Sequence, residues 1–211
     1  ILNGGDGNDR LTGGEGADIL RGGNGNDTYV LDDELDIIQD GGSSSDRDQI
    51  IVRFEVLTYT LPDSMTDLKL SSSVFNGTGN TGANNITGNK EDNIIRGLSG
   101  NDSLNGGQGN DRLVGGSGID TAIFSSRNNT INLGTTARQT TGDGRDILIG
   151  IENINGGGGR DTLNGSSASN NLNGGTGNDR LNGGQGNDRL VGGSGTDTAI
   201  FSSRNNTINL G

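Results

Sequence analysis

The chain has 211 residues, 42 of them glycine and one proline, with 27% hydrophobic residues and a net charge of −12. That apolar fraction lies well below the roughly 45–50% of ordinary globular domains, and the acidic balance disfavours nucleic acid as a partner. Cysteine and histidine are absent, which removes disulfide frameworks, thiolate zinc sites, zinc-protease motifs and serine–histidine triads.

Composition alone would describe a disordered chain, but strict periodicity argues for a solenoid, which needs only a thin apolar stripe per repeat. Residues 1–30 hold GGDGNDRLT, GGEGADILR and GGNGNDTYV. These are nine-residue units of the form G-G-x-G-x-D-x-U-x, with U apolar. Asp9, Asp18 and Asp27 take the sixth position, and Leu11, Leu20 and Tyr29 the apolar slot. A glycine-poor spacer, residues 31–78, carries β-type runs at Asp36–Ile38, Gln49–Val52, Val56–Leu61 and Asp67–Leu70. Their β-rich composition predicts irregular strands continuing the same coil. The acidic Asp32, Asp33, Glu34, Asp36 and Asp40 read as a solvated run rather than an extra cation site.

Residues 79–123 form a second block of five nonapeptides. Its first two units carry Asn84 and Asn93 at the sixth position, and the next three recover Asp102, Asp111 and Asp120. A second spacer covers 124–155. The third block, 156–201, holds Asp161, Asn170, Asp179, Asp188 and Asp197, and a further spacer starts over 202–211. Leu104–Gly134 recurs 77 residues later as Leu181–Gly211, changed only at Ile119 against Thr196. Both ends fall inside the pattern, so the chain reads as a stretch of a longer protein.

Glycines at positions one, two and four permit a tight turn with positive φ and close approach of neighbouring backbone. Such a turn points carbonyl oxygens inward beside one carboxylate. Calcium takes about six to eight oxygens at roughly 2.3–2.6 Å, so a second turn must complete its shell. The x-U-x tail makes a short strand with its middle residue inward, and two nonapeptides make one coil. Turns eighteen residues apart then stack: Asp9 on Asp27, Asp102 on Asp120, Asp161 on Asp179, and Asp179 on Asp197. On the other edge of their blocks, Asp188 meets only Asn170 and Asp111 only Asn93, which weakens those sites because an amide oxygen carries no charge. Asp18 lacks a clear partner, since Asp36 lies in the spacer. Leu104, Leu113, Ala122, Leu163, Leu172, Leu181, Leu190 and Ala199 form an inner ladder, with Phe124 and Phe201 plugging the thinner ends. Tyr29 and Tyr59 read as packing residues.

Ten of thirteen units keep the aspartate, and runs such as GGQGNDRLVGG resemble the RTX, or haemolysin-type calcium-binding, repeats of secreted bacterial proteins. The segments GNDTYVLDD and INLG…DILIGIENINGG are similar to spacers between RTX blocks. The resemblance implies an all-β, right-handed parallel β-roll (a β-solenoid) with multiple calcium ions between adjacent turns. It implies export by type I secretion machinery and folding outside the cell. The ligand role it carries falls on Asp9, Asp18, Asp27, Asp102, Asp111, Asp120, Asp161, Asp179, Asp188 and Asp197. Carbonyls of early turn residues accompany them: Gly5, Gly7, Gly107, Gly109, Gly175, Gly177, Gly184 and Gly186.

The arginines after aspartate (Arg10, Arg112, Arg180, Arg189) fall at outward strand positions and read as solvated charge offsetting the acidic turns. The outward positions carry no threonine or asparagine ladder along the sequence, which argues against an ice-binding surface. No apolar run is long enough for a membrane span and no signal peptide opens the chain. Regularly spaced aspartates in turns suit calcium better than a glycosidase pair. The reading is a non-enzymatic, extracellular or cell-surface calcium-binding module that assists secretion and holds a larger protein folded. Its alternative is a self-associating scaffold or adhesive element of stacked rolls. A third setting is the accessory region of a secreted protease, lipase or alginate epimerase.

Overall fold

The computed structural model describes residues 1–43, 45–71, 74–125, 127–201 and 206–211. Among these residues the chain makes strands and turns and no helix. Each nonapeptide gives a strand from its tail, which at Ile19–Asn24, Arg112–Ser117, Asn171–Thr176 and Arg189–Ser194 runs on through the next unit's glycine pair before the turn. In Arg112–Ser117, Arg112 is exposed and Leu113 buried, the alternation of a strand with one face inward.

Eleven strands, from Arg10–Thr12 to Thr207–Asn209, stack into one continuous sheet along one face of a parallel β-roll. The opposite face is interrupted. It holds a three-stranded sheet starting at Leu2–Asp6, a six-stranded sheet containing Val56–Thr60 and Arg112–Ser117, and a four-stranded sheet from Thr130–Asn132 to Thr198–Ile200. Within the repeats the register step is eighteen residues. Leu104 pairs with Ile86 on one side and Ala122 on the other, and Leu172 pairs with Leu190. The inward residues Leu11, Tyr29, Ile50, Leu68, Ile86, Leu104, Leu172 and Leu190 line one inner face and are buried. Leu20, Ile95, Leu113, Leu148, Ile131, Leu163 and Leu181 answer them from the other. This double row runs the length of the core, joined by Leu31, Val52, Leu61, Met65, Leu70 and Val74 around the first spacer, which is how so apolar-poor a chain closes on itself.

Strands form at Ile37–Ile38, Gln49–Val52, Val56–Thr60 and Asp67–Leu70, joined by Val74–Thr78. All pair in parallel with strands of neighbouring coils, so residues 31–78 carry the roll onward. Residues 124–155 do something the periodicity did not announce. Gln139–Thr141 folds back antiparallel on Gly144–Ile149, and Gly144–Ile149, rather than Thr130–Asn132, stacks on Arg112–Ser117. Thr130–Asn132 stacks instead on Thr162–Asn164.

The two phenylalanine plugs differ. Phe124 is 7% exposed, because it follows a strand on which Asn153–Asn155 stacks. Phe201 is 56% exposed and does not plug the core; its strand, Thr198–Ile200, is the last of its sheet. Residues 202–205 of the spacer expected to start there lie outside the described residues. The duplicated segments occupy opposite faces. Leu104 sits in the eleven-stranded sheet, whereas its copy Leu181 sits in the four-stranded one.

Leu104→Ala should destabilise the roll by about 2–4 kcal/mol, the cost of a cavity in a core one side chain thick. Urea unfolding at saturating calcium measures this.

Candidate metal centre

The sixth-position side chains form columns along both edges. In each column a carboxylate Oδ1 accepts the backbone N–H of the sixth residue one coil earlier. The bonds are 2.8 Å for Asp9 to Asp27, Asp102 to Asp120, Asp161 to Asp179 and Asp179 to Asp197. Asn93 donates in the same way to Asp111 at 2.8 Å, and Asn170 to Asp188 at 3.0 Å. Every pairing read from the eighteen-residue spacing is therefore present. Asp18 also has a partner, contrary to expectation: its N–H donates to Asp36 Oδ1 at 3.0 Å. The spacer keeps the coil length at that point, so Asp36 falls eighteen residues on.

Residues outside the motif extend the columns. Asp48 accepts from Asp27, Asp146 from Asp111, Glu152 from Asp120 and Asn206 from Asp188. Asn129 heads the column of Asp161, donating its N–H to that carboxylate. Sequence reasoning missed Asp48, Asp146, Glu152 and Asn129 because separations of 21, 35 and 32 residues break the period, and Asn206, eighteen residues on, because it lies in a spacer without the glycine motif. A second column was missed as well. The Oδ1 of Asn8, Asn101 and Asn178, just before the aspartate, accepts the N–H of the residue one coil on.

The second carboxylate oxygen behaves differently. Oδ2 of Asp9, Asp27, Asp102, Asp111, Asp120, Asp161, Asp179, Asp188 and Asp197 is buried and has no hydrogen-bond partner. Asp18, of the ten sixth-position aspartates, is not in that set. The Oδ2 atoms lie where a side chain on the first glycine of the same unit would go. A Cβ on Gly97 would collide with Asp102 Oδ2, and one on Gly106 with Asp111 Oδ2. Position one must therefore be glycine to make room for the carboxylate. The turn carbonyls lie at the same interface: Gly5 and Gly7 present their oxygens to Gly23 and Gly25, and Gly175 and Gly177 theirs to Gly193 and Gly195. Gly109 presents its carbonyl to Gly144, and Gly107, Gly184 and Gly186 face the carbonyls of Asn89, Ser166 and Ala168.

Buried anionic oxygens without donors are costly unless something positive meets them. Among the described residues no three carboxylates converge, so an ion there must draw much of its shell from carbonyls. An all-oxygen set of one or two carboxylates plus carbonyls fits a hard cation such as calcium. The family model described as the RTX calcium-binding nonapeptide repeat (4 copies) matches residues 1–34, 78–113, 87–122, 148–175 and 164–199, more than half of the chain. The chain belongs to this family. No curated protein matches it. An RTX β-roll is a calcium-binding structural module.

Without metal, burial raises the proton affinity of Asp102, Asp111, Asp120, Asp161 and Asp179. Burial pushes Asp102 up to about 6, helped by the negative charge of Asp120. Burial raises Asp111 to about 7, with Asp146, Asp92 and Asp143 adding to it. Asp161 rises to about 6 by burial and by Asp179. The spacer acids answer neither earlier reading fully. Asp36 accepts from Asp32 and Asp33, and Asp40 from Tyr29 and Gly23. They close turns with hydrogen bonds and are not a merely solvated run.

Three outcomes follow for the RTX roll. Gly97→Ala drives a methyl into Asp102 Oδ2 and toward the Gly115 carbonyl 2.7 Å away, and should cost about 1–3 kcal/mol. Gly41→Ala, whose Cβ would meet open space, should stay within about 0.5 kcal/mol of the parent in the same urea experiment. With calcium chelated, acid should favour the roll. A carboxyl protonated more readily when folded than when unfolded penalises folding above its folded value, about 7 for Asp111. That penalty shrinks as pH falls and vanishes below the unfolded value, near 3.8. Far-UV circular dichroism in chelator should thus gain β signal on acidification, and a loss would refute the burial argument.

Proposed function

We propose that this chain is a structural module that folds when calcium reaches it outside the cell, with Asp9, Asp18, Asp27, Asp102, Asp111, Asp120, Asp161, Asp179, Asp188 and Asp197 as carboxylate ligands. Carbonyls of the turn glycines, among them Gly5, Gly7, Gly107, Gly109, Gly175, Gly177, Gly184 and Gly186, complete the shells. The supporting observation is the row of nine buried Oδ2 atoms without partners. A cation between turns turns each mutual repulsion into a shared attraction, so metal affinity becomes folding free energy. Asp18 is the outlying ligand, since its Oδ2 is not among the orphaned oxygens. In calcium-poor cytosol the same carboxylates keep the chain open, which suits export through a type I secretion channel. Once outside, the folded roll stiffens the larger protein to which it belongs.

A second reading, an extracellular scaffold or adhesive element that self-associates, draws on the 77-residue duplication, because repetition for length suits a rod. Attachment to a secreted protease, lipase or epimerase is a third setting for the same module.

Calcium titration followed by far-UV circular dichroism tests the first reading, with magnesium as control. A coil-like spectrum should convert to β near 10⁻⁴–10⁻³ M calcium, roughly the range of extracellular modules. Magnesium, which gives up its water reluctantly, should not substitute. A β spectrum indifferent to chelator at neutral pH would sink the proposal.

A further inference from the structure

The three turns with asparagine at the sixth position are closed by the protein itself. Asn84 Oδ1 accepts the N–H of Asn80 at 2.7 Å, Asn93 Oδ1 that of Asn89 at 2.9 Å, and Asn170 Oδ1 that of Ser166 at 2.6 Å. In each case the donor is position two of the same unit. The other half of the amide is used too: Asn93 Nδ2 donates to Phe75 O at 2.9 Å and Asn170 Nδ2 to Glu152 O at 2.7 Å. None of the three amide oxygens is left without a partner, whereas the matching Oδ2 of nine aspartates is.

The backbone at position two separates the two groups. In all nine units with an orphaned Oδ2 its φ is positive, between 84° at Leu98 and Gly157 and 117° at Gly116. At Asn80, Asn89 and Ser166 it is not. Positive φ swings the N–H away from the carboxylate; Gly107 N–H, for example, donates to Asn105 Oδ1 instead. Leu98 shows that this is more than glycine's permissiveness. It is the one non-glycine residue with positive φ among the described residues, a conformation that costs an L-residue about 1–2 kcal/mol. Its unit is the one that carries Asp102.

We propose that the second residue of each nonapeptide decides whether its turn takes a cation, and that the turns of Asn84, Asn93 and Asn170 contribute no ligand to one. This rests on the calcium reading above and specifies where it does not apply. In the turns of Asn84 and Asn93 an amide at position two does the cation's work of drawing carbonyl oxygens together. Asn80 Nδ2 donates at 2.7 Å to both Pro62 O and Met65 O of the preceding coil. Asn89 Nδ2 repeats this with Ser71 O and Val74 O at 2.5 and 2.8 Å. The turns of Asn80 and Asn89 are thereby stitched to the preceding coil by neutral donors.

Native mass spectrometry of the full chain in calcium counts the ions. Asn93→Asp alone should add none, because Asn89 N–H still closes the turn. Asn89→Gly with Asn93→Asp should add one. A gain from the single variant equal to that of the pair, or no gain from a pair that gives the parent's β spectrum, overturns the proposal. Should the pair fail to fold, the reverse conversion decides. Gly107→Asn with Asp111→Asn should lose an ion and keep the β spectrum, and losing none overturns the proposal. A parent chain that binds no calcium overturns the underlying reading, and that is seen before any variant is made.

Discussion

The roll depends on one interaction: a buried carboxylate that holds the coil before it with one oxygen and leaves the other bare. The first oxygen accepts an N–H across the coil interface, as Asp120 does from Asp102. The second lies beside the first glycine of its own unit with no donor near. Neighbouring strands are roughly 4.8 Å apart, and two unit charges at that distance repel by about 3 kcal/mol at an effective dielectric constant of about 20. A few such pairs outweigh the roughly 5–15 kcal/mol of net stability a domain commands. The column therefore stands only if protons or cations neutralise it. Glycine at position one, the raised proton affinity of Asp102, Asp111 and Asp161, and the shape of the turn all trace to this one arrangement.

Around that constraint the architecture is economical. Within the repeats each coil adds one inward residue per face, with Val52 and Leu70 adding a second in the first spacer, and the ladder of Leu104, Ile86 and their neighbours runs unbroken down the long sheet. The irregular stretches preserve it by substitution. Tyr29 follows Leu11 in register and is followed by Ile50, although the step there lengthens to 21 residues. At residues 124–155 the extra length is absorbed on one face only, by the antiparallel turn at Thr141 and Gly144, while the other face steps from Ala122 to Ile154 without a gap. Thr141 Oγ1 then donates to Asp146 Oδ2 at 2.5 Å, giving that carboxylate a partner in a turn that lies off the repeat.

What could be read from the chain was what the period controls. The sixth-position pairings, the strands at Gln49–Val52 and Asp67–Leu70, and the buried slots at Leu163 and Leu181 follow from a spacing of nine and an alternation of two. Residues off the period were hidden. Asp48, Asp146 and Glu152 join the columns only because spacers of unequal length rejoin the coil in phase, which no local pattern encodes. The asparagine turns were visible as departures but not as alternatives. Their closure depends on the sign of φ at Asn80 and Asn89 and on carbonyls of Pro62 and Ser71 eighteen residues away. Phe201 carried the same local sequence as Phe124 and met a different neighbourhood.

The exchange of faces between the duplicated segments has a geometrical meaning. From Asp102 the column passes Asp120 and Glu152 to the turn of Asn170, three whole coils on, and Asp179 lies half a coil further, on the opposite edge. The 77-residue step is thus a half-integer number of turns, which acts as an approximate two-fold screw about the roll axis. Whatever one copy displays to the left, the next displays to the right. The outward residues of Arg112–Ser117 and of Arg189–Ser194 are the same side chains on opposite flanks. Duplication by this step lengthens the rod while making its two broad sides alike.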